Sequence, residues 1–143
     1  STWLLIHVTS AIISYGAFTI NFALSIIFLL RNKGRLKNLP SAKRIDEFSY
    51  KVVLFAFPIW TFAVISGAIW AESAWGRYWG WDPKETWAFI TWIIYAAYLH
   101  SRVTIGWKGT KSAWVSIAGY AAIIFNFFVI NIWVTGLHSY AGV

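Results

Sequence analysis

The chain has 143 residues, 59% of them hydrophobic and only 12% charged. A soluble domain usually carries about 25% charged residues, so the composition excludes that class and indicates an integral membrane protein. The formal net charge of +7 suggests a basic partner surface, but its distribution along the chain marks membrane topology and gives no reason to expect nucleic acid. Cysteine is absent, which excludes a disulfide framework, a thiolate nucleophile, a Cys-based metal site and a Cys-x-x-Cys-His attachment motif on this chain. Methionine is absent as well, even at position 1, so the sequence reads as a processed chain or, in preference, a piece of a longer one. No signal peptide is expected, because residues 3–30 form too long a stretch and lack a basic leader and a cleavage site.

In chain order, charge-free apolar stretches cover residues 3–30, 52–71, 86–101 and 112 to about 135. A bilayer core needs roughly 20 helical residues, with a range of about 17–25. The first, second and fourth stretches are long enough. The third is short and is expected to borrow residues 83–85 at one end and Arg102 at the other. Inside lipid each backbone group must bond within its own segment, so all of these stretches predict helices. The fold class is therefore all-α: a polytopic membrane protein of about four transmembrane helices with a Trp-rich loop between the second and third. Residues 1–143 read as a single domain with no internal repeat or linker.

Basic residues set the orientation. Residues 31–51 hold seven Lys or Arg against Asp46 and Glu47, and residues 101–111 hold Arg102, Lys108 and Lys111 with no acid. The loop between the second and third spans holds only Arg77 and Lys84, with Glu72, Asp82 and Glu85. Ten of the twelve basic residues thus lie on one side, which should be cytoplasmic. The Trp-rich loop and both termini then face outside. Residues 41–48, with Ile45 and Phe48 apolar among charges, predict a short interfacial helix on the inner surface.

The external loop reads Trp75-Gly76-Arg77-Tyr78-Trp79-Gly80-Trp81-Asp82-Pro83-Lys84-Glu85. The usual aromatic belt at membrane interfaces accounts for Trp3, Trp60, Trp70, Trp87, Trp92, Trp107, Trp114 and Trp133, but less well for Trp75, Tyr78, Trp79 and Trp81 within seven residues. Flat aromatic surface with flanking charge suits a flat amphiphilic ligand with acidic edges, and haem is the candidate. The four aromatics would stack on or edge the porphyrin, and Gly76 and Gly80 allow turns that bring backbone close to it. Arg77 and Lys84 either pair with haem propionates or are surface charges. Asp82 is a good N-cap, Pro83 fits the first helical position and Glu85 completes a capping box. Asn21, Asn126 and Asn131 lie within spans and are expected to link helices by hydrogen bonds.

Three histidines complete the pattern. His7 and His138 lie near the outer ends of the first and fourth spans, on the side of the Trp-rich loop. Taken singly, each reads as an interfacial polar residue. Together with the loop they make a pair of axial ligands, one for each face of the porphyrin. Two imidazoles would leave no open iron position for oxygen, which favours storage, transfer or electron exchange. His100 lies about fourteen residues into the third span, roughly 20 Å below the outer rim. An ionisable side chain at that depth is a functional candidate, and the bland alternative is a neutral histidine bonded to a neighbouring helix or snorkelling inward.

The pattern Trp75-Gly76-x-x-Trp79-x-Trp81-Asp82 resembles the tryptophan-rich "WWD" signature of haem-handling proteins of cytochrome c biogenesis. Residues 83–92, Tyr98-Leu99-His100 and Gly136-Leu137-His138-Ser139-Tyr140 resemble the CcsA/ResC branch in particular. The resemblance covers essentially the whole chain and corresponds to the C-terminal half of such a protein. It implies that His7 and His138 ligate haem iron and that the signature residues cradle it. It also implies that His100 helps receive haem from the cytoplasmic side with a Ccs1/ResB-type membrane subunit. The substrate implied is haem b, attached by thioether bonds to the Cys-x-x-Cys-His motif of apocytochrome c. The alternative is a haem exporter or chaperone subunit of the CcmC type, which passes haem on without ligation. A structural subunit anchored by its aromatics would leave the clustering of the histidines and the loop unexplained. The motifs Gly-Arg-Tyr-Trp-Gly and Ser-Tyr-Ala-Gly favour a bacterial cell membrane over a thylakoid.

Overall fold

A computed structural model describes residues 1–130. Four α-helices follow one another: α1 (Thr2–Asn32), α2 (Ala42–Trp75), α3 (Pro83–Thr104) and α4 (Thr110–Ile124). A π-helical stretch, Phe125–Ile130, continues α4. No strand occurs among the described residues. The chain is a multi-span membrane protein: α1, α2 and the stretch Thr110–Phe128 are each long and apolar enough to cross a bilayer. The 22 residues of α3 extend about 33 Å at 1.5 Å per residue, so α3 matches the bilayer in length although its ends are polar. Of the expected fourth span, the part beyond residue 130 lies outside the described residues, and so does Asn131.

The expected interfacial helix over residues 41–48 does not exist as a separate element. Ser41 accepts a hydrogen bond from the Arg44 N–H, and the helix that it caps runs without interruption to Trp75. Ile45 and Asp46 are buried. Burial of those two side chains against the bundle holds the segment in line with the span, where a surface-lying helix would have turned them to lipid. Pro58 lies inside α2 and removes one backbone donor, which a membrane helix tolerates when its neighbours pack around the site.

The helices form a closed ring. α1 packs on α2 and α4, and α3 packs on the same two. The main core lies along the ring's axis and includes Phe18, Val53, Ala56, Tyr95 and Ile123. Phe18 and Tyr95 stack at its centre with their ring centroids 3.9 Å apart. Lipid is as apolar as leucine, so close packing and polar contacts hold membrane helices together. Gly119 serves the first: a Cβ there would stand 2.7 Å from the Tyr95 ring. Asn21 serves the second, as its position within a span suggested. Its Nδ2 donates to Ser49 Oγ at 2.7 Å and joins α1 to α2.

The basic-rich end is locked by one ion pair. Arg102 donates two hydrogen bonds to Asp46, at 2.9 and 3.1 Å. Asp46 also accepts from the Gly109 N–H at 3.1 Å, so α2, α3 and the turn before α4 meet at one carboxylate. The guanidinium lies 4.4 Å from the Tyr50 ring centroid and 5.7 Å from that of Tyr98.

Candidate functional site

At the opposite end the ring opens into a cavity of about 290 Å³, close to the lower end of the range for small-molecule sites. α1 contributes His7 and Tyr15; α2 contributes Trp60, Val64 and Gly67; α3 contributes Lys84 and Glu85. Tyr78 and Trp79 of the loop and Asn126 and Phe127 of the π-helical stretch complete the wall. Residues 4, 8, 11 and 15 of α1 share the cavity-facing side with His7, following the i, i+4 period of a helix.

The loop is built by its own sequence. Gly76 ends α2 in the left-handed conformation, with φ +77°, and its N–H bonds to the Glu72 carbonyl. The Asp82 carboxylate accepts from the Glu85 N–H at 2.8 Å. In return Glu85 Oε1 accepts from the N–H groups of Gly80 and Asp82, at 2.8 and 3.2 Å. That is the expected capping box with one additional bond, and it ties the loop to the first turn of α3. The Arg77 side chain fills the space where a Cβ at Gly80 would sit. Trp81 is held at φ +56°, an unusual conformation for so large a residue. Its ring meets Trp79 and Phe89 edge-on, at 5.5 and 5.8 Å.

His7 and Lys84 are both engaged. His7 Nδ1 lies 2.7 Å from the Ala63 carbonyl oxygen. A carbonyl only accepts, so Nδ1–H is the donor, and in the neutral imidazole the lone pair then falls on Nε2. Lys84 Nζ donates to the Asn126 carbonyl at 3.3 Å and lies 5.8 Å from the Phe127 ring centroid. Asn126 Nδ2 returns a bond to the Lys84 carbonyl at 3.4 Å. Lys84 is therefore a half-buried cation on the cavity wall, while Arg77 is exposed.

Of the residues singled out from sequence, the fold brings His7, Tyr78, Trp79 and Lys84 to one cavity. Trp75, Gly76, Arg77, Trp81 and Asp82 shape the loop without lining the described wall. Trp75 packs edge-on against Trp70 at 4.8 Å, and Trp81 is 61% exposed. His100 is exposed on α3, fifteen residues beyond Glu85 and so roughly 22 Å along the helix from the cavity. His138 lies outside the described residues. Tyr15, Trp60 and Gly67 were not singled out. For Tyr15, the helical spacing from His7 was the available signal. For Trp60 and Gly67, on another helix, there was none.

The sequence of residues 1–138 matches the profile of the cytochrome C assembly protein family. The chain belongs to that family. It is 44% identical over 144 residues to the cytochrome c biogenesis protein CcsA of Chlamydomonas reinhardtii, covering 98% of this chain and 41% of the relative. It is 40% identical to the protein of the same name from Prochlorococcus marinus, over 98% of this chain and 54% of the relative. The CcsA of Mesostigma viride is also 40% identical, with 98% and 55% covered. The chain therefore spans about half the length of the curated relatives it matches.

Proposed function

We propose that this chain is the haem-handling membrane domain of a cytochrome c assembly protein, with residues 1–143 acting as one unit. The cargo is haem b, held in the cavity under the Trp-rich loop and presented to apocytochrome c. One observation supports the reading: His7 Nδ1 is committed as donor to the Ala63 carbonyl, which makes Nε2 the nitrogen to ligate iron, and the residue lines a cavity with Tyr78 and Trp79. The cavity also fits in its other chemistry. Its wall is mostly apolar and aromatic, and the half-buried Lys84 supplies a cation for a propionate. His138 is the second axial ligand in this proposal. Trp75, Gly76, Arg77, Trp81 and Asp82 hold the loop in shape.

Thioether formation adds a client cysteine thiol across each haem vinyl group: sulfur bonds to carbon and the proton goes to the neighbouring vinyl carbon. This chain contains no cysteine, so both sulfurs come from the apocytochrome Cys-x-x-Cys-His motif. The contribution of the domain is orientation, holding the vinyl carbons where thiols can reach them. The basic-rich end, with the Asp46–Arg102 pair, faces the cytoplasm and the Trp-rich loop faces outward, in a bacterial cell membrane. His100, exposed near the inner end of α3, faces a Ccs1/ResB-type subunit.

The test is an absorption spectrum of the purified full-length complex beside its His7→Ala variant. Loss of a low-spin haem spectrum in the variant supports the assignment, and equal haem with an unchanged spectrum refutes it. Reconstitution with apocytochrome c and the partner subunit then separates ligation from export alone, since only ligation yields thioether-linked haem.

A further inference from the structure

We propose that Gly67 and the Ala63 carbonyl form the device that positions the His7 imidazole as an iron ligand. This inference rests on the reading of His7 as a haem ligand and names two residues of α2 on which that ligand depends.

Glycine in the interior of a helix runs against helix propensity, where alanine is the better residue. At position 67 the reason is steric. A Cβ there would stand 2.6 Å from both Cε1 and Nδ1 of His7, and 3.3 Å from Cγ. The imidazole therefore occupies the space that any other residue would fill with its side chain. Ala63 lies one turn earlier on the same helix, and its carbonyl accepts the hydrogen bond from Nδ1–H at 2.7 Å. The same carbonyl accepts from Ser66 Oγ at 3.2 Å. Ala63 is fully buried, so water does not reach its carbonyl to compete with the ring.

The two features act together. The missing side chain lets the ring pack against the backbone of α2, and the carbonyl then fixes its tautomer and its rotation. A hydrogen bond of this kind also makes the ligating nitrogen more basic, and losing such an outer partner typically lowers metal affinity about 10–100-fold. Gly67 is a positioning residue: it acts on the iron only through His7.

The experiment uses the full-length complex with Gly67→Ala, His7→Gly, the double variant, and Gly16→Ala as a control. Gly16 has nothing within 4 Å of a built Cβ, so a methyl group there meets open space. Haem affinity, the low-spin spectrum, the reduction potential and apo-protein thermal stability are read for each. Gly67→Ala should weaken haem binding about 10-fold or more and shift the potential, while Gly16→Ala leaves both unchanged. In the His7→Gly background, Gly67→Ala should have no further effect on residual haem binding. That double variant should also be more stable as apo-protein than Gly67→Ala alone, because the clash is gone; this readout holds even where Gly67→Ala folds poorly. Wild-type affinity, spectrum and potential in Gly67→Ala would overturn the proposal, as would an equal effect with and without His7. If His7→Gly itself keeps full haem and spectrum, it is the ligand assignment that fails.

Discussion

Removing the Asp46 carboxylate should destabilise the bundle more than the loss of any one apolar contact at that end. Arg102 and Asp46 are 6% and 10% exposed at their side chains, and two hydrogen bonds join them. Asp46→Ala deletes those two bonds and the bond from the Gly109 N–H, and leaves a buried guanidinium against the rings of Tyr50 and Tyr98. Breaking a buried pair by removing one partner costs about 3–5 kcal/mol, most of it from the uncompensated charge. For a chain of this length that corresponds to a drop of roughly 6–20 °C in melting temperature. Replacing both partners with apolar residues removes the charge as well as the bonds, so Asp46→Ala/Arg102→Met should recover most of the loss. Thermal unfolding in detergent, followed by helical circular dichroism, reads Asp46→Ala, Arg102→Met and the double variant. The haem spectrum should survive in each variant that folds, because Asp46 precedes Ala63 by seventeen residues, roughly 25 Å along α2. Single variants that cost less than about 1 kcal/mol, or a double variant as unstable as the worse single, would refute the reasoning.

Other outcomes follow from the same geometry. Lys84→Gln should lower haem affinity about 10-fold or more if its ammonium holds a propionate, and Lys84→Arg should restore part of it; haem titration at two salt concentrations measures both. Asp82→Ala should destabilise α3 by about 1 kcal/mol through the lost cap and make the loop between Gly76 and Pro83 cleave faster under limited proteolysis. Phe18→Ala should cost about 3–5 kcal/mol in unfolding experiments, because Phe18 is fully buried and stacked on Tyr95. His100→Ala should leave both stability and the outer-site haem spectrum unchanged, since the side chain is exposed and distant from the cavity; a changed spectrum would place His100 at the iron.

The sequence by itself determined what depends on local rules. Lipid forces each span to satisfy its own backbone, so the apolar runs translate directly into α1, α3 and most of α2, with α4 beginning where the fourth run does. The capping box at Asp82 and Glu85 was readable for the same reason, because its partners lie three residues apart. The helix that begins at Ala42 was only half legible. Its charged first turns look amphipathic, and only the burial of Ile45 and Asp46 against other helices keeps them in line with the span. Tertiary structure decided the site. Whether His7 meets Ala63, 56 residues away, depends on the rotation and register of α1 against α2, which the helical period alone does not fix. The same holds for Gly67. In the sequence it is one more small residue in an apolar run, and its purpose becomes visible only when the imidazole packed against it is known.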